Sequence, residues 1–229
     1  RTALTRALLP VLAAAVATLA SLEPAWAADA QRQIDRTTAA TSNLRLELHN
    51  LAGNVTVVPT DGKEVKVAAT VHASAASAAE AERIAGLLQL STETVDNRWI
   101  VKAVYPLDES RKYCYPRQAQ EEDLPWFLNW LDIGSSNFKY ADREVRVVSQ
   151  PGSGALTLYA DFRIEIPAGV SVKVKDGIGA IDSQNVRGDQ TLDIATGEVE
   201  VSGGTGALSV DTGSGDVRVA RQAGDVLVD

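Results

Sequence analysis

The sequence has few of the residues that metal centres and disulfide frameworks require. Its 229 residues include one cysteine, two histidines and no methionine. A single cysteine excludes an internal disulfide framework and a multi-cysteine zinc site, and two histidines leave few ligands for a catalytic metal. We therefore expect neither a cofactor nor a bound metal ion.

Positive charge is also scarce. Lys and Arg total 22 against 30 Asp and Glu, so the formal net charge is -8. Nucleic acids and anionic membrane surfaces attract basic proteins, so neither is an expected partner. The hydrophobic content of 45% is typical of a globular chain.

Residues 1–27 have the pattern of a secretory signal peptide. A basic start with Arg1 and Arg6 precedes an apolar run from Leu8 to Leu22 and the small-x-small sequence Ala25-Trp26-Ala27. The alternative is a transmembrane anchor, but the apolar run is shorter than the roughly 20 residues that span a bilayer. We predict cleavage before Ala28, no later membrane span, and a mature protein in the periplasm or at the cell surface.

The next two segments differ in their patterns. Residues 28–42 are small and polar, and we interpret them as a flexible leader. Residues 43–105 predict strands plus one helix, because apolar and polar side chains alternate in several short runs. The period changes between Ser77 and Leu90, where Ser77 and Glu80 form a capping box for an amphipathic helix.

Residues 143–229 contain a repeat of constant period. One glycine series is Gly179, Gly197 and Gly215, and a second with the same step is Gly188, Gly206 and Gly224. This self-similarity predicts a mainly β fold, a β-solenoid with 18-residue repeats, one peripheral α-helix and an aromatic-rich insertion. The alternative is an antiparallel sandwich with two hairpins in each repeat. We expect the repeat to continue, and to be capped, beyond Asp229.

Residues 106–142 interrupt the strands with an aromatic-rich insertion, in which we expect a short helix from Leu124 to Leu131. Its candidate ligand or partner surface comprises Tyr113, Tyr115, Trp126, Phe127 and Trp130, because exposed aromatic patches mark interaction sites. The alternative is a plug that packs against the sheet. Cys114 is a candidate for an intermolecular disulfide, and its alternative is a buried thiol among these rings.

The order of these elements resembles the putative-adhesin family of bacterial envelope proteins, a family of unknown function with a β-solenoid domain. The matching features are Leu51–Val57, Glu64–Val67, an Ala/Glu-rich helix over 78–90, and Ile164–Val170 leading into the glycine-acidic-Val turns. The resemblance covers residues 43–229 except the insertion. It implies adhesion and supplies no catalytic residues.

Short motifs of catalytic or ligand-binding character are better explained by the repeat. Asp211-Thr212-Gly213 resembles an aspartic-protease signature, but that chemistry needs two carboxylates and a second such motif is missing. Gly203–Leu208 approaches a calcium-binding nonapeptide, but Leu208 stands where an aspartate is needed. We therefore expect no catalytic residues.

The sequence predicts a non-catalytic exported envelope protein, an adhesin-like binding or scaffolding module. Its expected partner is an envelope glycan or an envelope protein. Two alternatives stay open: a carbohydrate-active β-helix enzyme, which would place paired carboxylates in a groove, and a sensory or signalling module of the envelope.

Overall fold

The computed structural model describes residues 27–41, 43–116, 135–152 and 154–229. Within them the protein is mainly β, with 15 strands in one hydrogen-bonded network and one helix. The first half contains β1 (Ala28–Ala39), β2 (Arg45–His49), β3 (Ala52–Thr60), β4 (Glu64–Ala75), α1 (Ala78–Leu87), β5 (Gln89–Val95) and β6 (Arg98–Val104). The remaining strands are β7 (Lys112–Cys114), β8 (Ser135–Tyr140), β9 (Arg143–Val148), β10 (Leu156–Pro167), β11 (Ser171–Gln184), β12 (Gln190–Ser202), β13 (Leu208–Thr212), β14 (Val217–Ala220) and β15 (Val226–Val228).

Strands β11 to β15 form a parallel ladder. Gly197 of β12 pairs with Gly179 of β11, one repeat earlier in the sequence, and β13 pairs with β12 at the same offset. β14 pairs with β12 and β15 pairs with β13, again in parallel. The predicted alternative of antiparallel hairpins is therefore wrong for this segment. The strand order runs from β15 to β8 without closing on itself.

The ladder extends through strands that come from much earlier in the chain. β2 and β3 lie parallel to β11, so that Leu48 pairs with Val174 and Gly53 pairs with Gly179. β6 pairs with β2, and β10 pairs with β3, both in parallel. The N-terminal strands therefore stack directly on the repeat region.

Equivalent inward side chains form buried rows across the ladder. One row, fully buried, contains Val101, Leu48, Val174, Leu192 and Val210. Burying one such aliphatic side chain stabilises the fold by about 1.5–3 kcal/mol. Because apolar and polar residues alternate along most strands, the buried apolar side chains lie on the inner faces of the strands and form the core there.

The row of Gly53, Gly179, Gly197 and Gly215 lets neighbouring backbones approach closely. Gly197 has φ of 150°, and a Cβ built there would lie 1.9 Å from the carbonyl oxygen of Gly179. The same Cβ on Gly179 would lie 1.8 Å from the Gly53 oxygen, and on Gly215 1.8 Å from the Gly197 oxygen. Only glycine fits this row without strain.

The predicted helix is confirmed with a shorter C-terminal end. The Ser77 side chain accepts a hydrogen bond from the Glu80 amide at 3.3 Å, so Ser77 is the N-cap. The helix ends at Leu87 rather than at Leu90, because Leu88 is extended and Gln89 already begins β5. β5 is exposed on most of its length and polar, so its sequence lacks the apolar alternation that marks a strand.

The interpretation of residues 28–42 as a flexible leader is wrong for Ala28–Ala39. These residues form β1, which pairs antiparallel with β4 along its whole length. Arg32 and Arg36 donate hydrogen bonds to the carbonyl oxygens of Leu88 and Leu90, which tie β1 to the segment after the helix. Hydrogen bonds from two arginine side chains thus hold β1 against this segment, where apolar contacts would be the usual means.

Parts of the predicted insertion also join the sheet. β7 pairs in parallel with both β9 and β10, and β8 forms an antiparallel pair with β9. The predicted helix from Leu124 to Leu131 lies outside the described residues. Within the described residues, no helix has both the length and the apolar character needed to cross a membrane.

The glycine row predicts a strong position dependence of Gly→Ala substitution. Gly197→Ala should lower the free energy of unfolding by about 3 kcal/mol or more, because it combines a left-handed φ with a backbone clash. Gly86→Ala is the matched control, since nothing lies within 4 Å of a Cβ at this helical position. Urea titration of both variants checks the expectation, and equal stability of the two would contradict it.

Candidate functional site

The candidate site is centred on a buried acid at a corner of the ladder. Asp176 is the inward residue of β11 that follows Val172 and Val174, and it is only 5% exposed. Its partner in the next strand is Ile194, so an acid occupies a position that is aliphatic in the neighbouring strand. On the other side Asn50, 2% exposed, donates its backbone N–H to the Lys175 carbonyl at 2.9 Å.

Tyrosine side chains surround this corner. The Tyr105 hydroxyl donates to Asn50 Oδ1 and to the Ala52 carbonyl, both at 3.1 Å. Tyr140 donates to the Ala103 carbonyl at 2.5 Å. The Tyr105 ring meets those of Tyr113 and Tyr140 edge-on, with centroid distances of 5.2 and 5.7 Å. These contacts fix the positions of Asn50 and Tyr105 beside Asp176.

A cleft of about 920 Å³ opens at this corner. We call it the corner cleft. Its lining consists of residues 49–51, 102–108, 137, 139–143 and 175–177, together with Asp193 and Ala195. Its volume falls in the range of small-molecule sites, and its lining mixes apolar side chains with a few polar groups.

Burial dominates the electrostatics of Asp176. It raises the pKa of Asp176 well above its ordinary value, and the negative charge of Asp161 adds to this effect. The Gly177 N–H and the Asn50 side chain act in the opposite direction. Neither carboxyl oxygen makes a hydrogen bond of normal geometry with the described residues. Because a buried ionised carboxylate is costly without a partner, Asp176 favours its protonated form.

The tyrosines respond to the same environment. Burial raises the pKa of Tyr105 well above its ordinary value, and the charges of Tyr140 and Asp176 raise it further. Burial likewise raises the pKa of Tyr140, with Asp176 adding to the shift. Both phenols therefore stay neutral and serve as hydrogen-bonding groups.

The side chains of Glu47, His49 and Lys175 form a cluster at the rim of the corner cleft. His49 Nε2 lies 2.8 Å from Glu47 Oε1, and Lys175 Nζ lies 3.8 Å from the same oxygen. Burial lowers the pKa of His49, although Glu47 opposes the shift. Burial acts to raise the pKa of Glu47, but the His49 hydrogen bond and the nearby positive charges outweigh it, so the pKa is lowered. Glu47 is therefore ionised and pairs with Lys175 and His49 at this rim.

The structure separates the aromatic residues that sequence reasoning grouped together. Tyr113 is 0% exposed and Tyr115 is 8% exposed, so neither offers an open face to a partner. Tyr113 instead supports Tyr105 under the corner cleft, and Tyr115 donates to Asn54 Oδ1 at 3.0 Å. Trp126, Phe127 and Trp130 lie outside the described residues.

Cys114 is a free and buried thiol, 1% exposed. Burial raises the pKa of this thiol, and the Thr157 side chain only partly opposes the shift. A disulfide to a second chain requires an accessible thiolate, so the fold around β7 would have to open before Cys114 could form one.

The sequence patterns did not predict the two central residues of the site, Asp176 and Asn50. One signal could have found Asp176: it is a charged residue in the inward phase of an otherwise apolar alternation, and the equivalent position one repeat later is Ile194. Among the described residues, no group of three or more His, Cys, Asp or Glu side chains is arranged to hold a metal ion.

Comparison with known proteins yields weak likenesses. No protein-family model matches the chain, and no curated protein matches it. A solved structure of a putative cell adhesion protein from Clostridium sporogenes is 8% identical with a TM-score of 0.34, covering 86% of this chain and 99% of that one. Putative adhesins from Bacteroides fragilis and Parabacteroides distasonis are 12% and 8% identical, with TM-scores of 0.26 and 0.23, each covering 86% of this chain and 96% of that one. Likenesses this weak do not establish a shared fold or activity.

The raised pKa of Asp176 predicts a pH-dependent loss of stability. Above about pH 4 the unfolded chain ionises this carboxyl while the folded chain keeps its proton, so folding weakens as pH rises until the folded pKa is reached. Below about pH 4 both states are protonated and the effect disappears. Asp176→Asn should therefore be more stable than the unsubstituted chain, by a margin that grows by up to about 1.4 kcal/mol per pH unit.

Urea titrations of both proteins from acidic to neutral pH measure this margin. Asp211→Asn, at an exposed position of β13, is the matched control and should show no such growth. A margin that is constant or shrinks with pH would contradict the assignment of a protonated buried Asp176.

The burial of Cys114 predicts slow reaction with a thiol reagent. We expect the folded chain to react on the order of 100-fold more slowly than the chain in denaturant, because reaction needs local opening. A chain carrying Cys114→Ser and Ser214→Cys, which moves the thiol to an exposed turn, is the control and should react rapidly. Rapid reaction of Cys114 in the folded chain, or a disulfide-linked dimer, would contradict this placement.

Proposed function

We propose that the chain is an exported, non-catalytic protein of the bacterial cell envelope that acts as an adhesin-like binding or scaffolding module. The observation that carries the proposal is the parallel ladder, in which paired strands keep a constant offset of one repeat. We propose that this ladder winds as a β-solenoid. Such architectures present extended, rigid surfaces made of equally spaced side chains, which suit repetitive ligands such as glycans.

The outer face of the ladder illustrates this spacing. Residues that pair across β6, β2, β11, β12 and β13 place Lys102, His49, Lys175, Asp193 and Asp211 in one outward row. Neighbouring strands are about 4.8 Å apart, so the row changes from positive to negative over a few strand widths. A row of this kind can bind a polymer with regularly spaced polar groups.

The position of β1 supports the export step. β1 begins at Ala28, which is the first residue expected after removal of a signal peptide. Cleavage there would leave every described strand intact. The proposed contact surface also includes Trp126, Phe127 and Trp130, whose side chains are suited to stacking on sugars or on an apolar partner surface.

A carbohydrate-active enzyme is the second candidate. One observation favours it: Asp176, with its raised pKa, and Asp193 both line the corner cleft. An acid with a raised pKa and a second carboxylate are the two groups used in glycoside hydrolysis.

Export and envelope binding test the proposal in one experiment. When the chain is expressed in a bacterium with an added start codon, we expect it in the periplasm with Ala28 as its N-terminal residue. The purified mature protein should then bind isolated envelopes saturably in a sedimentation assay, without releasing soluble sugar. A variant with Trp126→Ala and Trp130→Ala tests the aromatic surface, and Trp99→Phe, a change at a buried position, is its control.

The outcomes separate the candidates. A cytoplasmic chain that retains its first residues, or one that does not bind envelopes, would overturn the proposal. Release of sugar fragments that stops with Asp176→Asn or Asp193→Asn would replace it with the enzyme. Loss of binding in the double tryptophan variant assigns the contact to the aromatic surface, whereas unchanged binding assigns it to the ladder.

A further inference from the structure

Strand β1 lies at the end of the antiparallel part of the sheet. Among the described residues it pairs only with β4, along all twelve residues from Ala28 to Ala39. Helix α1 packs against both β1 and β4, so it lies over one face of this strand pair. The other side of β1 is a free strand edge, which we call the β1 edge.

The phase of the pairing with β4 determines which main-chain groups point to the β1 edge. Just beyond β1, Ala40 donates its N–H to the Lys63 carbonyl at 2.8 Å, in the register of the β1–β4 pair. Hydrogen-bonded pairs recur at every second residue of an antiparallel ladder, so the even-numbered residues of β1 bond to β4. The odd-numbered residues, all of them exposed, therefore direct their N–H and C=O groups to the β1 edge: Asp29, Gln31, Gln33, Asp35, Thr37 and Ala39.

The β1 edge has few of the features by which proteins keep an edge strand from pairing. Such strands are commonly short, or carry proline, lysine or a bulge. β1 is twelve residues long, contains neither proline nor lysine, and keeps an unbroken register with β4. The feature it does have is the pair Arg32 and Arg36 on its inner face. Because like charges directly opposite each other destabilise a strand pair, these arginines restrict the registers that a partner strand can adopt.

We propose that the β1 edge pairs with the β1 edge of a second copy of this chain, antiparallel and centred on Gln33. The hydrogen-bonded pairs are then Gln33 with Gln33, Gln31 with Asp35, and Asp29 with Thr37. These pairs use the main-chain groups that β4 leaves free. The sheets of the two molecules become continuous across a two-fold axis, which is the commonest symmetry of soluble dimers.

The side chains of β1 are self-complementary in this register. The Gln31 amide faces the Asp35 carboxylate of the second copy, and the two-fold axis makes this contact twice. On the inner face Arg32 lies opposite Ile34, whose partly exposed side chain is then covered by the stem of the arginine. The exposed contact of the Arg36 side chain with the Asp35 carbonyl, at 2.9 Å, is replaced by a main-chain hydrogen bond.

The neighbouring registers are unfavourable. A pairing centred on residue 32 places Arg32 opposite its own copy, and one centred on residue 34 places Arg32 opposite Arg36. A pairing centred on residue 35 brings two Asp35 carboxylates together. A centre at residue 31 avoids these contacts but leaves much of β1 unpaired. The charges therefore select the centre at Gln33.

Pairing of this kind has a consequence for the proposed function, although it does not depend on it. A dimer carries two ladders, so a chain that binds a repetitive surface through its ladder gains affinity from the second contact. The interface itself is a single strand pair, so we expect reversible association with a dissociation constant on the order of 10 µM.

Sedimentation velocity of the purified protein between about 1 and 200 µM measures this association. We expect the mean mass to rise toward twice the monomer value. Gln33→Pro removes an N–H that the β1–β4 ladder does not use, and proline is tolerated at such edge positions, so this variant should fold and associate at least about 10-fold more weakly. Gln33→Ala retains the N–H and is the matched control, with association unchanged. Urea titration of both variants checks that the fold is intact.

Thiol bridging tests the register independently of those variants. In a chain carrying Cys114→Ser, Gln33→Cys places two Cα atoms about 5.5 Å apart across the two-fold axis, which is within the range of a disulfide. Gln31→Cys, the matched control on the same exposed face, places its two Cα atoms about 14 Å apart. We expect mild oxidation to link the Gln33→Cys chains rapidly and the Gln31→Cys chains slowly.

Each failure has a distinct meaning. A chain that stays monomeric over the whole range, or a dimer that Gln33→Pro leaves unchanged, would overturn the inference. Equal linking of the two cysteine variants would overturn the proposed register. None of these results concerns envelope binding, so the proposed function would stand. A dimer that forms as expected but does not bind envelopes would overturn the proposed function alone.

Discussion

The close approach of backbones along the glycine row is the constraint on which the rest of the structure depends. Gly53, Gly179, Gly197 and Gly215 each lie where a Cβ would fall within 2.0 Å of a neighbouring carbonyl oxygen. This contact sets the distance and register between successive strands. Because the side-chain period of a strand is two, the register then decides which residues are buried. The aliphatic rows and the outward charged row follow from that one alignment.

The corner of the ladder shows where this order is interrupted. Asp176 occupies an inward position and lowers the free energy of unfolding once the pH is high enough for the unfolded chain to ionise it. Its surroundings are otherwise well ordered, since Tyr105 and Tyr140 are held by hydrogen bonds and by edge-on ring contacts. A rigid frame around one unsatisfied group is the usual arrangement of a binding site, where stability is sacrificed for affinity.

Sequence patterns predicted the elements whose side chains obey a simple period. The alternation of Leu46 and Leu48 with polar residues and the capping residue Ser77 indicated a strand and a helix that the structure contains. β1 escaped this reasoning because Arg32 and Arg36, rather than aliphatic residues, make its contacts to the segment after the helix. No local period distinguishes such a strand from a polar linker.

The candidate site was less accessible to sequence reasoning for a different reason. Asp176, Asn50 and Tyr105 come from separate segments, and only the stacking of β2 on β11 brings the first two together. Tyr113 and Tyr115 stand out as aromatic residues, but composition does not indicate which face of a strand is covered. In the structure they support other rings instead of meeting solvent.

The constant offset between paired strands has a consequence for how such a chain can change its length during evolution. Inserting or deleting one residue within a paired strand would move the later side chains of that strand to the opposite face and would displace its glycine from the row. Duplication or loss of one complete repeat, the distance from Gly179 to Gly197, would preserve every row. Within the ladder, related chains should therefore differ in length by whole multiples of this offset rather than by single residues.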